Sequence, residues 1–305
     1  MAHIYDTIII GGGPGGFTAA LYCARAGLNT LILEKLSPGG QMALTHQIEN
    51  YPGFPEGTDG VALGQRMRQG AENSGAKILL TEVLSLMLQG NIKEVKTAEE
   101  SYFCRSMILA TGAEPRTLGV PGEQTFTGRG VSYCAACDGR FYAGKTVAVV
   151  GGGNTAATDA LLLSRICKKV ILIHRRDSMR AANVYQKLLE MAENVEFRWN
   201  STVISILGDD RLTGASIRVD GKDTRITCDG VFVCIGRTPA TKLVQGQLEL
   251  DASGYVRADE TTCTNIPGVF AVGDVRTKPL RQIVTATADG ATACHFVEAY
   301  LANTS

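Results

Sequence analysis

Two glycine-rich turns, each between a short apolar run and an alanine-rich segment, constrain the fold of this chain more than any other feature. The first, residues 11–16, follows the apolar residues 4–10 and has the spacing G-x-G-x-x-G. The second, residues 151–156, follows residues 145–150 and reads G-x-G-x-x-A. Such glycines let a backbone approach a pyrophosphate, and the helix that follows presents N–H groups and partial positive charge. The repetition predicts two strand-turn-helix-strand units, each with a dinucleotide site.

The second strand of the first unit ends on an acid. A helix is predicted over residues 17–26 and a strand over residues 30–33, after which Glu34 lies 18 residues beyond Gly16. A carboxylate at this position accepts hydrogen bonds from the hydroxyl groups of a ribose. Strand, glycine turn, helix, strand and terminal acid together are far more specific than the glycine motif alone. The first unit is therefore predicted to hold a dinucleotide without a 2'-phosphate.

The same count in the second unit ends on basic residues. The position 18 residues beyond Ala156 is His174, which Arg175 and Arg176 follow directly, with Arg180 one turn later. Basic groups in place of the acid suit a 2'-phosphate rather than a free 2'-hydroxyl. The alternative is a solvated basic strand end, but the exchange falls on the equivalent position of a repeated unit. We therefore predict that the second unit binds NADPH and the first a flavin dinucleotide.

Two cysteines three residues apart, Cys134 and Cys137, stand directly before Asp138. Two thiols at this spacing close a small disulfide ring, and a neighbouring cation or helix start lowers a thiol pKa towards neutrality. Asp138 is placed to give or take a proton when a thiolate leaves or attacks. Half of a zinc site is the alternative, but zinc needs four ligands, and the sequence has no second C-x-x-C. We predict a redox dithiol and no bound metal.

Composition argues against several classes of function. The 30 basic and 30 acidic side chains give a formal net charge of zero, which offers no electrostatic basis for binding nucleic acid or a membrane surface. No apolar run approaches the roughly 20 residues that a membrane helix needs, and no signal peptide precedes the first predicted strand. Seven of the nine cysteines lie outside any motif, as buried free thiols of a reducing compartment do. These features predict a cytoplasmic protein.

Two breaks divide the chain into domains. Residues 114–116 and residues 237–239 each contain a proline and a charged side chain, and each break follows a strand that closes one nucleotide unit. We interpret the breaks as two crossings of the chain between domains, so that the middle domain is inserted into the other. The predicted flavin domain comprises residues 1–115 and 244–305, and the predicted NADPH domain, which carries the dithiol, residues 116–243.

Taken together, these motifs resemble those of the low-molecular-weight, bacterial-type thioredoxin reductase family over essentially the whole chain. The resemblance implies an α/β fold of two Rossmann-like domains of the three-layer ββα type, with the NADPH domain inserted into the FAD domain. It also implies a homodimer that binds FAD and NADPH. The stretches that carry it are residues 11–16, 39–41, 48–54, 110–113, 134–138, 151–156, 174–176 with Arg180, 273–274 and 281–282.

The resemblance assigns a role to each matching position. The residues expected to bind FAD are Gly11, Gly13, Pro14, Gly16, Glu34, Gly40, Gln41, Asn50, Gly112, Gly273, Asp274, Arg281 and Gln282. The residues expected to bind NADPH are Gly151, Gly153, Asn154, Thr155, Ala156, His174, Arg175, Arg176 and Arg180. The expected catalytic residues are Cys134, Cys137 and Asp138.

The resemblance further implies that electrons pass from NADPH through FAD and the disulfide to thioredoxin or a thioredoxin-like protein. Cys137 is then the thiol that meets the flavin, Asp138 the acid, and Cys134 the thiolate that attacks the acceptor. A ferredoxin-linked reductase or a flavin-dependent dithiol oxidase on the same fold is the alternative, and neither needs the basic cluster. The family often has two aromatic residues after the dithiol turn, whereas Arg140 precedes Phe141 here. This difference leaves the acceptor open.

Overall fold

The chain crosses twice between two structural units. A computed structural model describes residues 3–45 and 47–304. The first unit is Met1–Glu114 with Thr238–Ser305, and the second is Pro115–Arg237. The sequence places the second crossing after residue 243, which is too late. The backbone N–H of Ala240 donates to the carbonyl of Gly112 over 3.0 Å, which joins this segment to the first unit.

Strands and helices alternate along much of the chain. The strands are β1 (Ile4–Ile10), β2 (Thr30–Glu34), β3 (Lys77–Leu80), β4 (Val83–Met87), β5 (Lys93–Thr97), β6 (Ser101–Leu109), β7 (Ala113–Pro115), β8 (Val131–Ser132), β9 (Thr146–Val150), β10 (Lys169–Ile173), β11 (Val195–Arg198), β12 (Ser201–Gly208), β13 (Leu212–Val219), β14 (Lys222–Thr227), β15 (Gly230–Val233), β16 (Arg237–Pro239) and β17 (Val269–Ala271). The helices are α1 (Pro14–Arg25), α2 (Gly60–Asn73), α3 (Glu123–Phe126), α4 (Ala135–Asp138), α5 (Asn154–Ser164), α6 (Asn183–Glu190) and α7 (Ile283–Asn303). Single 3-10 turns cover Gly40–Leu44, Gly139–Tyr142, Lys242–Val244 and Gly273–Val275.

A seven-stranded sheet forms the centre of the first unit. Its order is β3-β2-β1-β6-β5-β4, and β17 also pairs with β6. Strands β3, β2, β1, β6 and β17 run parallel, whereas β5 and β4 run antiparallel to their neighbours. Ile9 lies between Ile32 and Ile108 in register, and all three are fully buried. Continuous apolar strands of this kind are typical of a parallel sheet covered on both faces.

The second unit has a smaller parallel sheet in the order β11-β10-β9-β15-β8. Helix α5 packs on it through Ala156, Ala157 and Ala160, which are fully buried. A separate antiparallel sheet, β12-β13-β14, covers another part of the core and does not follow from the glycine motifs. The predicted α/β class with two Rossmann-like domains is confirmed.

One predicted helix has different bounds in the structure. Helix α1 begins at Pro14 rather than at Phe17, because the fixed φ and missing N–H of proline suit the first turn of a helix. Strand β17, which precedes Gly273 and Asp274, is confined to Val269–Ala271. The backbone N–H of Val269 closes a turn on the carbonyl of Ile266 over 3.1 Å, so the preceding segment is a turn. Of the helices described, none combines the length and the apolar composition that a membrane span requires.

Candidate functional site

The first glycine turn packs against the end of β6, which neighbours β1 in the sheet. Gly11 has φ +106°, and a Cβ there would lie 2.5 Å from the carbonyl oxygen of Ala110. A Cβ on Gly16 would overlap the carbonyl oxygen of Gly11. At Gly13, by contrast, a Cβ would meet nothing within 4 Å. The turn therefore needs glycine on its inner side and presents open backbone on its outer side.

Glu34 lies at the predicted end of β2 and binds the glycine turn. Its Oε2 accepts a hydrogen bond of 2.5 Å from the N–H of Gly12, and its Oε1 accepts one of 2.9 Å from the N–H of Leu36. The side chain is buried. Each carboxylate oxygen keeps a further lone pair, which leaves capacity for hydroxyl donors such as those of a ribose.

The loop residues predicted to bind FAD gather around the start of α1. A Cβ on Gly40 would lie 3.4 Å from the Cα of Gly13, so the two turns are in close contact. Gln41 is exposed on the 3-10 turn that follows. Nδ2 of Asn50 donates to Oε1 of Gln282 over 3.0 Å, which brings this loop to the start of α7.

Asp274, Arg281 and Gln282 form another side of this region. The Arg281 guanidinium donates to the carbonyl of Asp274 at 3.4 Å and to that of Arg276 at 3.1 Å, and it stacks on Tyr255 at 3.9 Å. Gln282 forms a capping box with Thr285 at the start of α7. These side chains stiffen the turn that carries Asp274, which is a role that the sequence does not predict.

A buried ionic cluster behind Gly273 escapes sequence analysis. Asp289 on α7 accepts hydrogen bonds from the N–H of Gly273 at 2.8 Å, from Arg276 at 2.8 and 2.9 Å, and from Lys278 at 2.7 Å. Burial alone raises the pKa of Asp289, but the hydrogen bonds from Arg276 and Lys278 outweigh burial and hold that pKa below its usual value. The cluster fixes the turn on which Gly273 and Asp274 lie.

The second glycine turn repeats the plan of the first. A Cβ on Gly151 would overlap the carbonyl oxygen of Cys234 at the end of the closing strand. A Cβ on Gly153 would meet nothing within 4 Å, as at the corresponding glycine of the first turn. Oδ1 of Asn154 accepts a 2.8 Å hydrogen bond from the N–H of Ala182, and Thr155 is exposed on the first turn of α5. Ala156 is buried.

His174 lies against this turn, where Glu34 lies in the first unit. Its ring is buried, and a Cβ on Gly152 would overlap it. Burial lowers the pKa of His174, and the charge of Arg176 lowers it further. Within the part of the chain that the structure describes, Nε2 of His174 is buried without a hydrogen-bond partner. That atom is available to a polar group of a ligand.

The basic residues after His174 lie on an exposed loop that returns to the glycine turn. The N–H of Arg180 donates to the carbonyl of Gly152 over 2.7 Å. The side chains of Arg175, Arg176 and Arg180 are all exposed. Three guanidinium groups beside a glycine turn offer the charge and hydrogen-bond donors that a phosphate monoester needs. The predicted residues of the second nucleotide site are thus brought together in one unit.

The dithiol lies on the same unit as the basic loop. Cys134 and Cys137 form a disulfide with a Cα–Cα distance of 5.3 Å, and Cys134 is the N-cap of α4. Both cysteines are half-buried. The hydroxyl of Ser132 accepts a hydrogen bond from the N–H of Cys134 at 3.1 Å and donates to Asp138 at 2.6 Å. No group of three metal-binding side chains was found over residues 3–45 and 47–304.

Both glycine turns fit the phosphates of a dinucleotide. The N-cap residues Gly13 and Gly153 have no side chain to accept hydrogen bonds, so the first-turn N–H groups of α1 and α5 remain available. An acidic residue accompanies the first turn and basic residues the second. This difference matches a nucleotide without a 2'-phosphate in the first unit and one with it in the second.

Comparisons with known proteins agree with this geometry. The family model for pyridine nucleotide-disulphide oxidoreductases matches residues 5–290. A thioredoxin reductase of Listeria monocytogenes is 46% identical over 98% of this chain and 94% of its own length. The chain belongs to the thioredoxin reductase family of pyridine nucleotide-disulphide oxidoreductases. A Bacillus subtilis thioredoxin reductase is 43% identical over 98% of this chain and 95% of its own length.

Solved structures of this family share the fold. The crystal structure of thioredoxin reductase from Streptococcus pyogenes superposes with a TM-score of 0.93, at 42% identity, over 99% of this chain and 100% of that one. Thioredoxin reductase from Giardia duodenalis has a TM-score of 0.92 at 34% identity, over 98% of this chain and 99% of its own. As a member of the family, this chain is an oxidoreductase that depends on FAD and NADPH.

The cluster around Asp289 gives a test of how the first site is built. We expect Asp289→Asn to leave Arg276 and Lys278 uncompensated, lowering the free energy of unfolding of the FAD-free protein by about 3–5 kcal/mol and weakening FAD retention. Because the folded-state pKa of Asp289 is depressed, the loss of unfolding free energy should be full above about pH 4. It should become smaller at lower pH as the wild-type carboxyl protonates.

Urea unfolding at several pH values measures this difference, and equilibrium dialysis measures FAD retention. Glu298→Gln is the matched control, because it removes an exposed carboxylate from the same helix. The control should stay within about 0.5 kcal/mol of the wild type. Equal stability of Asp289→Asn and the wild type at neutral pH would contradict the assigned role.

Proposed function

We propose that this chain transfers electrons from NADPH, through FAD and the Cys134–Cys137 disulfide, to the disulfide of thioredoxin. The observation that carries the proposal is the half-buried disulfide on α4, with Asp138 beside it and a basic nucleotide loop in the same unit. The thioredoxin reductases of Listeria monocytogenes and Bacillus subtilis support thioredoxin as the acceptor.

The reduced pair is proposed to reduce the acceptor in two exchanges. The thiolate of Cys134 attacks one sulfur of the acceptor disulfide, forming a mixed disulfide and releasing the other sulfur as a thiolate. Cys137 then attacks the sulfur of Cys134, which restores the Cys134–Cys137 disulfide and releases the second acceptor thiolate. Two electrons and two protons leave the enzyme with the acceptor dithiol. Cys137 is the thiol assigned to the exchange with the flavin.

Asp138 is suited to carry one of these protons. Burial raises the pKa of the Asp138 carboxyl, and the hydrogen bond from Ser132 opposes this only in part. A carboxyl with a raised pKa holds its proton at a higher pH than an exposed aspartate does, and so serves as a general acid nearer neutrality. It protonates a departing acceptor thiolate and regains a proton when the Cys137 thiol ionises to attack Cys134.

The residues around the first glycine turn are assigned to FAD and those around the second to NADPH. FAD and NADPH together supply hydride transfer and the passage of electrons to a disulfide. Gly13 and Gly153 present open backbone to phosphates, and Glu34 accepts hydrogen bonds from a ribose. The exposed guanidinium groups of Arg175 and Arg176 are assigned to the 2'-phosphate.

We also propose a homodimer located in the cytoplasm. The family resemblance supports the dimer, and sedimentation equilibrium of the FAD-bound protein at several concentrations should give twice the mass of 32.4 kDa. A monomer mass would refute it.

The seven cysteines outside the dithiol are free and mostly buried, which supports a reducing compartment. Fractionation of the cells that produce the protein tests the location.

The decisive variant is Cys134→Ser. It should lower thioredoxin reduction by at least about 1,000-fold, because a serine hydroxyl is not ionised near neutral pH and forms no disulfide. Bleaching of the flavin by NADPH should persist. Stopped-flow absorbance follows the flavin, and insulin precipitation follows thioredoxin. Cys263→Ser, at a half-buried free thiol, is the matched control. Substantial thioredoxin reduction by Cys134→Ser would refute the proposal.

The basic loop predicts the choice of nicotinamide nucleotide. Changing Arg175 and Arg176 together to Ala should raise the KM for NADPH by about 100-fold, since each charge-assisted hydrogen bond contributes about 1.5–3 kcal/mol. The KM for NADH should change less than threefold, at about the size of ordinary surface effects. Arg211→Ala, at an exposed turn of the same unit, is the control. Equal losses with both nucleotides would show that the loop does not bind the 2'-phosphate.

A further inference from the structure

Asp159 on α5 is a half-buried aspartate that has no role so far in nucleotide binding or in the dithiol exchange. Its Oδ2 accepts a hydrogen bond from the thiol of Cys234 at 3.1 Å. The backbone N–H of Ala135 donates to the same carboxylate. Ala135 is buried and lies directly after Cys134, inside the ring that the disulfide closes. One carboxylate therefore joins α5 and the end of β15 to the turn that holds both sulfurs.

The chemistry of this contact is unusual for a purely structural acid. Burial raises the pKa of Asp159 above its usual value, and the hydrogen bonds from Cys234 and Ala135 and the charge of Arg237 oppose this only in part. An asparagine makes similar hydrogen bonds without the cost of desolvating a carboxylate, which amounts to several kcal/mol for a buried ion. What asparagine lacks is the negative charge. The negative charge is therefore what an aspartate contributes here beyond its hydrogen bonds.

A negative charge at this position acts on the thiolate that reduction creates. The carboxylate accepts a hydrogen bond from the N–H of Ala135, so this N–H is a weaker donor to a sulfur anion. The carboxylate also repels that anion directly. Both effects disfavour the reduced, partly ionised pair relative to the disulfide. A dithiol that is less stable relative to its disulfide is a stronger reductant.

We propose that Asp159 is a positioning residue that lowers the reduction potential of the Cys134–Cys137 pair through its charge. This inference rests on the proposed function, in which that pair carries the electrons. The carboxylate holds the dithiol turn through Ala135 and makes the pair a better donor to the acceptor disulfide. Cys234 supports the carboxylate through its thiol and leaves its charge in place.

The test is the equilibrium of the FAD-bound enzyme with glutathione under anaerobic conditions, without NADPH or thioredoxin. Two glutathione thiols reduce the Cys134–Cys137 disulfide to two thiols and form one glutathione disulfide. Alkylation and mass spectrometry of the peptide that carries both cysteines give the ratio. Asp159→Asn should shift this equilibrium about tenfold towards the dithiol, a rise in potential of about 30 mV, as expected for one screened charge nearby.

Two further variants separate charge from packing. Cys234→Ala removes the thiol donor but keeps the carboxylate, so its equilibrium should stay within about threefold of the wild type, well short of the tenfold charge effect. Asp210→Asn, in the exposed turn between β12 and β13, is the matched control for loss of a carboxylate and should shift nothing. If Asp159→Asn does not fold, Asp159→Ser removes the same charge and should give the same shift.

An unchanged equilibrium in Asp159→Asn would overturn the proposal, and so would an equal shift in Cys234→Ala, which would assign the effect to packing. This outcome is distinct from failure of the proposed function. The glutathione equilibrium reports the potential of the pair without any turnover. Thioredoxin reduction by Cys134→Ser would refute the electron path whatever Asp159 does.

Discussion

In both units the carbonyl oxygen just after one strand, β6 in the first and β15 in the second, packs against the first glycine of the nucleotide turn. Ala110 makes this contact with Gly11, and Cys234 makes it with Gly151. No side chain fits between strand and turn, so the backbone N–H groups at the start of α1 and α5 are held at the edge of each sheet. The acid or base that ends the second strand is held there too. The proposed nucleotide preference of each unit depends on this close approach.

The dithiol uses the same framework at the second turn. Helix α5 starts at the nucleotide turn and carries Asp159, which contacts both the end of the closing strand and the dithiol turn. Ser132 and Asp138 hold the other side of that turn. A half-buried disulfide with polar groups on two sides is set for proton-coupled exchange, and the family membership of the chain agrees with that chemistry.

Sequence patterns predict the features that depend on local order. The span of β1, the position of Glu34 at the end of β2 and that of His174 after β10 follow from strand periodicity and from counting. The hydrogen bond from Gly273 to Asp289 spans 16 residues, and that from Cys234 to Asp159 spans 75. Such contacts depend on which helix packs on which strand, and no spacing rule encodes them. The second crossing lies earlier than the sequence predicts for the same reason, since a long-range backbone hydrogen bond joins Ala240 to Gly112 of the first unit.

An anaerobic titration of the FAD-bound protein with NADPH, with flavin absorbance followed throughout, tests the central claim most directly. We expect bleaching after about two equivalents, one for the flavin and one for the Cys134–Cys137 disulfide, because each is a two-electron couple. The thiol count should rise by two over the same range. A flavin that stays oxidised in excess NADPH, or full bleaching after one equivalent with the disulfide intact, would contradict the account.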